Sequence, residues 1–172
     1  MLAVGLGDLA AFEQLVLRYQ ANAWRVAYRL TGDSTEAEDL AQGAFLRLLD
    51  AAPRYKPTAK FRTYFYRILT RLCFDYNRKR RPVPTESLPD MPGKSLSPLQ
   101  QASQVDRNVQ IQAALDNLPD DYRMAIVLRY FEGLNGTEIA EAMGRSVKAV
   151  ERLLARAREA LEPQLKGLIG NL

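Results

Sequence analysis

The sequence predicts an all-α chain of two small helical domains joined by a proline-rich flexible linker, the second a helix-turn-helix. Three observations predict it. Apolar residues recur at helical spacing on both sides of residues 82–98. Within that stretch lie five of the chain's nine prolines, with Ser, Gly and Thr between them, and no periodicity survives. Beyond it, Ala140, Gly144, Val150 and Leu153 fall where a helix-turn-helix needs a small residue, a turn glycine and two docking apolar residues. The expected boundaries are a first domain over 1–81, a linker over 82–104 and a second domain over 105–172.

Composition narrows the function classes. At 172 residues and 47% hydrophobic content the chain can build a real core. No apolar run is long enough to cross a bilayer and no signal segment opens the chain, so no membrane insertion is expected. A single cysteine, Cys73, and no histidine exclude a disulfide framework and the usual zinc sites. A soluble, reducing, cytoplasmic setting follows, with no metal or cofactor expected. The formal charge of +4 hides a segregation: residues 54–81 hold ten Lys/Arg against one acid, Asp75, which leaves the rest of the chain at −5. Such clustering is the footprint of a polyanion site.

In chain order, Asp8 is placed to cap a first helix carrying Leu9, Phe12, Leu15, Val16, Tyr19, Ala23, Val26 and Leu30, with Thr31-Gly32-Asp33 as its stop. The second helix opens acidic, and Thr35 and Glu38 have capping-box spacing. Its inward stripe is Ala37, Ala41, Ala44, Phe45 and Leu48. A second, mixed stripe of Asp39, Gln42, Gly43, Leu46 and Asp50 sets an outward leucine among polar flanks, as a helix-docking surface requires. After a loop with Pro53, Tyr55 and Pro57 comes FRTYFYRILTRLCFDYNRKRR, residues 61–81. Phe61, Phe65, Ile68, Leu72 and Tyr76 share one side of that helix. Tyr66, Arg67, Thr70, Phe74, Asn77 and Arg78 share the other. Outward aromatics among guanidinium groups suit stacking on splayed bases and pairing with phosphates. A basic helix whose aromatics pack on a neighbouring helix is the competing reading.

In the linker, Gly93-Lys94-Ser95 imitates the tail of a phosphate-binding loop, but Leu88 stands where that motif needs glycine. A helix through residues 105–115 follows. Pro119, Asp120 and Asp121 then open another that runs to Phe131 and stops at Gly133. Asn135 and Glu138 have capping-box spacing for a short helix ending near Gly144. Ser146 caps the next, expected to end at Glu162 before Pro163. On that last helix Val150, Leu154, Ala157 and Leu161 face inward, while Lys148, Arg152 and Arg156 line the outside with Arg145 and Ser146 at its start. Groove-entering residues at the N-terminal end reach base edges and later cations hold phosphates. A helical hairpin with a solvated basic face is the alternative.

Four stretches carry a family resemblance: residues 7–20 (GDLAAFEQLVLRYQ), 27–48 (AYRLTGDSTEAEDLAQGAFLRL), the 61–81 helix, and 118–161 (LPDDYRMAIVLRYFEGLNGTEIAEAMG…ARAREAL). In this order around the linker they resemble the extracytoplasmic-function class of bacterial sigma factors. The resemblance implies a transcription initiation factor, not an enzyme, whose partners are core RNA polymerase and promoter DNA, duplex and melted, with an anti-sigma factor as a further candidate. It implies a polymerase-binding motif at Asp39, Leu40, Gln42 and Phe45, beside Leu46 from the face analysis, which itself places Phe45 in the core. Together with the outward face of the basic helix, it implies minus-ten contacts in and just before that helix: Lys60, Arg62, Tyr64, Tyr66, Arg67, Arg71, Phe74, Asn77 and Arg78. Minus-thirty-five contacts fall at Arg145, Ser146, Lys148, Ala149, Arg152 and Arg156. Tyr64 and Arg71 depart from the family's common tryptophan and asparagine, Gly43 from a common glutamate, and the recognition helix reads KAVERLLARA, so promoter preference does not carry over. The alternative function is a stand-alone helix-turn-helix regulator, which would bind its operator without polymerase.

Overall fold

The computed structural model describes residues 1–80 and 102–169, with side chains described over 1–80 and 108–163. Most of the expected linker, and the failed phosphate-loop motif in it, lies outside the described residues; its last three residues already belong to a helix. The first unit comprises α1 (Leu2–Gly5), α2 (Leu9–Thr31), α3 (Ser34–Ala51), a 3-10 turn (Ala52–Arg54) and α4 (Phe61–Arg80). The second comprises α5 (Ala102–Asp116), α6 (Asp120–Ile126), a π-helical segment (Val127–Phe131), α7 (Gly136–Met143) and α8 (Val147–Ile169). There is no strand among the described residues.

The termini follow cap chemistry. Asp8 Oδ1 accepts from the Ala11 amide at 2.9 Å and starts α2, and Gly32 closes it in the left-handed region at φ 73°. The expected capping box at Thr35 is not used. Asp33, extended after the glycine, takes that place and accepts from the amides of Thr35 and Glu36. The box at Asn135 and Glu138 forms with both reciprocal bonds. Ser146 Oγ accepts from the Ala149 amide at 3.2 Å at the start of α8. That helix passes through Pro163 to Ile169 instead of stopping at Glu162. A proline ring removes one backbone bond to the preceding turn, and the flanking turns keep theirs.

Ala23, Val26, Ala27 and Leu30 of α2 meet Ala37, Ala41, Ala44, Phe45 and Leu48 of α3 in the first core, where Phe65, Leu69 and Cys73 of α4 join them. Alanines let α2 and α3 approach closely, and full burial of a side chain such as Leu48 contributes roughly 1.5–3 kcal/mol. The second core gathers Leu115, Leu118, Val127, Leu128, Ile139, Val150 and Ala157.

The two units pack on each other, and most of the buried hydrophobic residues of both form one cluster. Helix α4 lies against α7. Arg123, nearly buried, donates from Nη1 to the Leu30 carbonyl at 3.0 Å and from Nη2 to the Asp116 carbonyl at 2.9 Å. Asn77 Nδ2 donates to the same Leu30 carbonyl at 2.9 Å. Thr70 Oγ1 reaches the Ala142 carbonyl at 3.3 Å. This changes the expected faces of α4. Its buried arc is Thr63, Phe65, Tyr66, Leu69, Thr70 and Cys73, whereas Phe61, Ile68, Leu72 and Tyr76 are only half-buried. The helix is covered on two sides, so a one-sided amphipathic reading misplaces its outward aromatic.

Candidate polymerase-docking and nucleic-acid interfaces

The second stripe of α3 is a surface. Asp39 and Gln42 are exposed, and Leu46 is 63% exposed. Gln42 Nε2 donates to Glu38 Oε1 one turn back at 3.2 Å, which holds the amide along the helix. Leu40 is half-buried against the core. Phe45 does not belong to this surface: it is 7% exposed, with its ring 5.0 Å from that of Phe65. Phe45 thus sits in the core, as its place on the inward stripe predicts, and not at the surface contact that the resemblance implies.

Helix α4 sorts its candidate contacts into three groups. Arg67, Arg71, Phe74 and Arg78 are exposed. Tyr64 is half-buried edge-on to Tyr55 at 5.0 Å, with the Arg67 guanidinium 5.7 Å from its ring centre. Lys60, Arg62 and Asn77 lie at the seam between the units: Lys60 Nζ pairs with Glu138 Oε1 at 2.9 Å, Arg62 is half-buried, and Asn77 Nδ2 donates to the Leu30 carbonyl of its own unit and, at 3.4 Å, to Asp120 Oδ1 of the second. Tyr66 is the correction. It is fully buried at the seam, and its hydroxyl donates to the Glu132 carboxylate. The ring covers apolar area while its polar tip finds a partner, as a buried tyrosine requires.

Burial pushes the Tyr66 hydroxyl up and is reinforced by Glu132. Burial likewise raises the Glu132 carboxyl, against the Tyr66 hydrogen bond and the nearby Arg25, Arg62 and Arg29. Glu138 is held below the usual range, first by the Asn135 amide and then by Lys60. Burial pushes the Cys73 thiol up to about 12, which makes it an inert part of the core.

In the second unit α7 and α8 meet across Gly144, left-handed at φ 64°, with the Arg145 amide bonded to the Ala140 carbonyl at 2.9 Å. Ala140 and Val150 are buried, and Leu153 and Leu154 half-buried. Arg145, Ser146, Lys148, Arg152 and Arg156 are exposed, and Ala149 is half-buried between them. Arg145 also pairs with Asp121 on α6 at 2.8 Å.

Glu132 and Arg47 were not singled out by sequence, and Glu138 was read only as a helix cap. Glu132 gains Tyr66, and Glu138 gains Lys60 beside its local Asn135 partner, only when the two units meet, and no local pattern announces that. Arg47, exposed on α3, carries a signal in hindsight: it stands one residue past the Leu46 stripe, on the side turned toward α4. Among the described residues no three acidic or cysteine side chains stand close enough to hold a metal, and no helix is long and apolar enough to cross a membrane.

Two helical units, an exposed mixed stripe on α3 and a helix-turn-helix with a basic face are the arrangement expected of a sigma-type transcription factor. Family comparison agrees: sigma-70 region 2 matches residues 15–83 and sigma-70 region 4 matches residues 108–161. The chain is 34% identical to the ECF RNA polymerase sigma factor SigW of Bacillus subtilis, covering 94% of this chain and 92% of that protein. It is 34% identical to the ECF sigma factor SigE of Mycolicibacterium smegmatis, covering 92% of this chain and 64% of that longer protein. The solved structure of CnrH, in complex with the cytosolic domain of CnrY, is similar at a TM-score of 0.75 and 27% identity, over 96% of this chain and 94% of that one. The chain belongs to the extracytoplasmic-function sigma factors, transcription initiation factors that join core RNA polymerase and direct it to promoters. The stand-alone regulator is not favoured.

Proposed function

We propose a division of labour among the three surfaces. Asp39, Gln42 and Leu46 dock on core polymerase, with Leu40 supporting them from below. Helix α4 captures the melted minus-ten strand through Arg67, Arg71, Phe74 and Arg78, with Tyr64 at its edge. The start of α8 enters the duplex at the minus-thirty-five element. The boundaries 1–81 and 105–172 describe the units that separate when they act. The work is binding, carried out in the cytoplasm, with no catalytic group. Unstacking a base costs a few kcal/mol, and stacking on an aromatic returns about 1–3 kcal/mol, so captured bases and the polymerase's grip share the opening.

The observation that carries this reading is Leu46, 63% exposed one turn beyond Gln42 on the same face as Asp39, on a helix whose other side is core. The packed arrangement is a closed form: Lys60, Tyr66 and Asn77 are engaged with the second unit, so full use of α4 needs the units to part. An anti-sigma partner would act on the same equilibrium, a reading supported by the likeness to CnrH, solved with CnrY's cytosolic domain. Run-off transcription with core polymerase on a library of promoters is the test. Promoter-specific initiation only with both components is expected. Tight sequence-specific duplex binding by the free chain, with no transcription on adding core, would overturn it.

A further inference from the structure

Where α4 meets the helix-turn-helix the two units enclose an open cleft of about 720 Å³. Its volume lies within the range of small-molecule sites, roughly 300–1,000 Å³. Four guanidinium groups line it: Arg47 from α3, Arg67 and Arg71 from α4, and Arg145 from the turn before α8. Two carboxylates also line it, and both are engaged, Asp121 with Arg145 at 2.8 Å and Asp75 with Arg78 at 3.7 Å. Arg47, Arg67 and Arg71 have no carboxylate partner among the described residues, so the cleft holds a surplus of positive charge. Its remaining walls are flat or soft: Tyr64, Phe74, Ile68 and Met143.

Guanidinium groups bind phosphate oxygens in pairs of parallel hydrogen bonds. Aromatic faces and methionine sulfur suit a planar heterocycle. We propose that this cleft binds a phosphorylated mononucleotide, its phosphates on Arg47, Arg71 and Arg145 and its base against Tyr64, Phe74 and Met143. Because the walls come from both units, the site exists only while they are packed. A ligand that binds only that arrangement stabilises it by mass action. It also occupies Arg71 and Phe74, so it competes with the melted strand for α4. That consequence rests on the function proposed above; the binding itself does not.

Equilibrium dialysis of the full chain, without polymerase, against labelled ATP and GTP tests the binding. One saturable site per chain is expected. Arg47→Ala and Arg145→Ala, one from each unit and both checked for helical content, should each weaken binding by about tenfold or more, as expected for loss of one charge-assisted phosphate contact. Inorganic triphosphate should bind more weakly than either nucleotide. No saturable binding into the millimolar range overturns the proposal, as does unchanged affinity in Arg145→Ala. Equal binding of inorganic triphosphate would reduce the site to an anion patch and overturn it too. So would binding of a single-stranded oligonucleotide with none of the mononucleotides. Transcription by Arg47→Ala with core polymerase, expected to persist, is a separate readout, so failure of one reading does not imply failure of the other.

Discussion

The Tyr66 hydroxyl donates its hydrogen bond to the Glu132 carboxylate across the seam between the two helical units. Tyr66 is fully buried there, and burial raises the Glu132 carboxyl. An acid whose packed-state pKa is raised contributes stability that is complete below its unfolded value, about 4.3. That contribution is lost as pH rises through the packed-state value. The seam is therefore expected to tighten in acid. Glu132→Gln keeps an acceptor for Tyr66 without the buried charge, so it should raise the thermal midpoint at neutral pH and flatten its dependence on pH above the unfolded carboxyl value. A lower midpoint at neutral pH would mean that Arg25, Arg29 and Arg62 hold the charge more strongly than burial opposes it. Glu138, whose carboxyl is lowered, acts with the opposite sign: its contribution is present above the unfolded value and lost as acid protonates it. Measuring Glu132→Gln against the parent isolates the first effect.

Adjacent residues on α3 should fail in different ways. Phe45→Ala empties a packed aromatic site and should cost about 3–5 kcal/mol of stability. Leu46→Asp changes an exposed position and should alter folding by no more than about 0.5 kcal/mol. The second variant should nevertheless weaken polymerase association by more than about 1 kcal/mol, as removal of an interface anchor does. Denaturant unfolding and a pull-down with core polymerase separate the two. Normal association by Leu46→Asp would remove this stripe from the docking surface.

On α8 the position along the helix predicts the kind of loss. Lys148→Ala and Arg152→Ala should each cost about 1–3 kcal/mol at particular bases and relax preference there. Arg156→Ala lies farther from the entering end and should weaken all promoters alike. A promoter library with randomised upstream elements reads the difference; uniform loss in all three variants would reverse the assignment.

Melting is best tested at exposed positions, since Tyr66 also holds the seam. Arg71→Ala with Phe74→Ala should cripple initiation on fully paired promoters and leave polymerase association intact. Activity should largely return on templates with a pre-opened mismatch bubble, where the unstacking cost of a few kcal/mol per base is already met. Equal loss on both templates would place the melting surface elsewhere.

Local signals made much of this molecule legible in its sequence. Helical periodicity located α2, α3, α4 and the four helices of the second unit. Caps at Asp8, Asn135 and Ser146 and the left-handed glycines at 32 and 144 act within a turn of themselves, so reading them needs no knowledge of distant contacts. The stripe at Asp39, Gln42 and Leu46 was legible for the same reason, because one helix fixes both of its own faces. The family resemblance over 7–161 carried the function. Tertiary structure alone decided what covers α4. Period and hydropathy identify an apolar side and a basic side, but Tyr66 belongs to both, since its ring favours burial and its hydroxyl accepts an exposed position or a buried partner equally. Glu132, sixty-six residues away in sequence, supplies that partner only when the units pack, and Lys60 with Glu138 and Arg47 opposite Arg145 depend on the same meeting. Contacts between surfaces brought together by a chain reversal leave no period behind them, because each side alone reads as an ordinary solvated face.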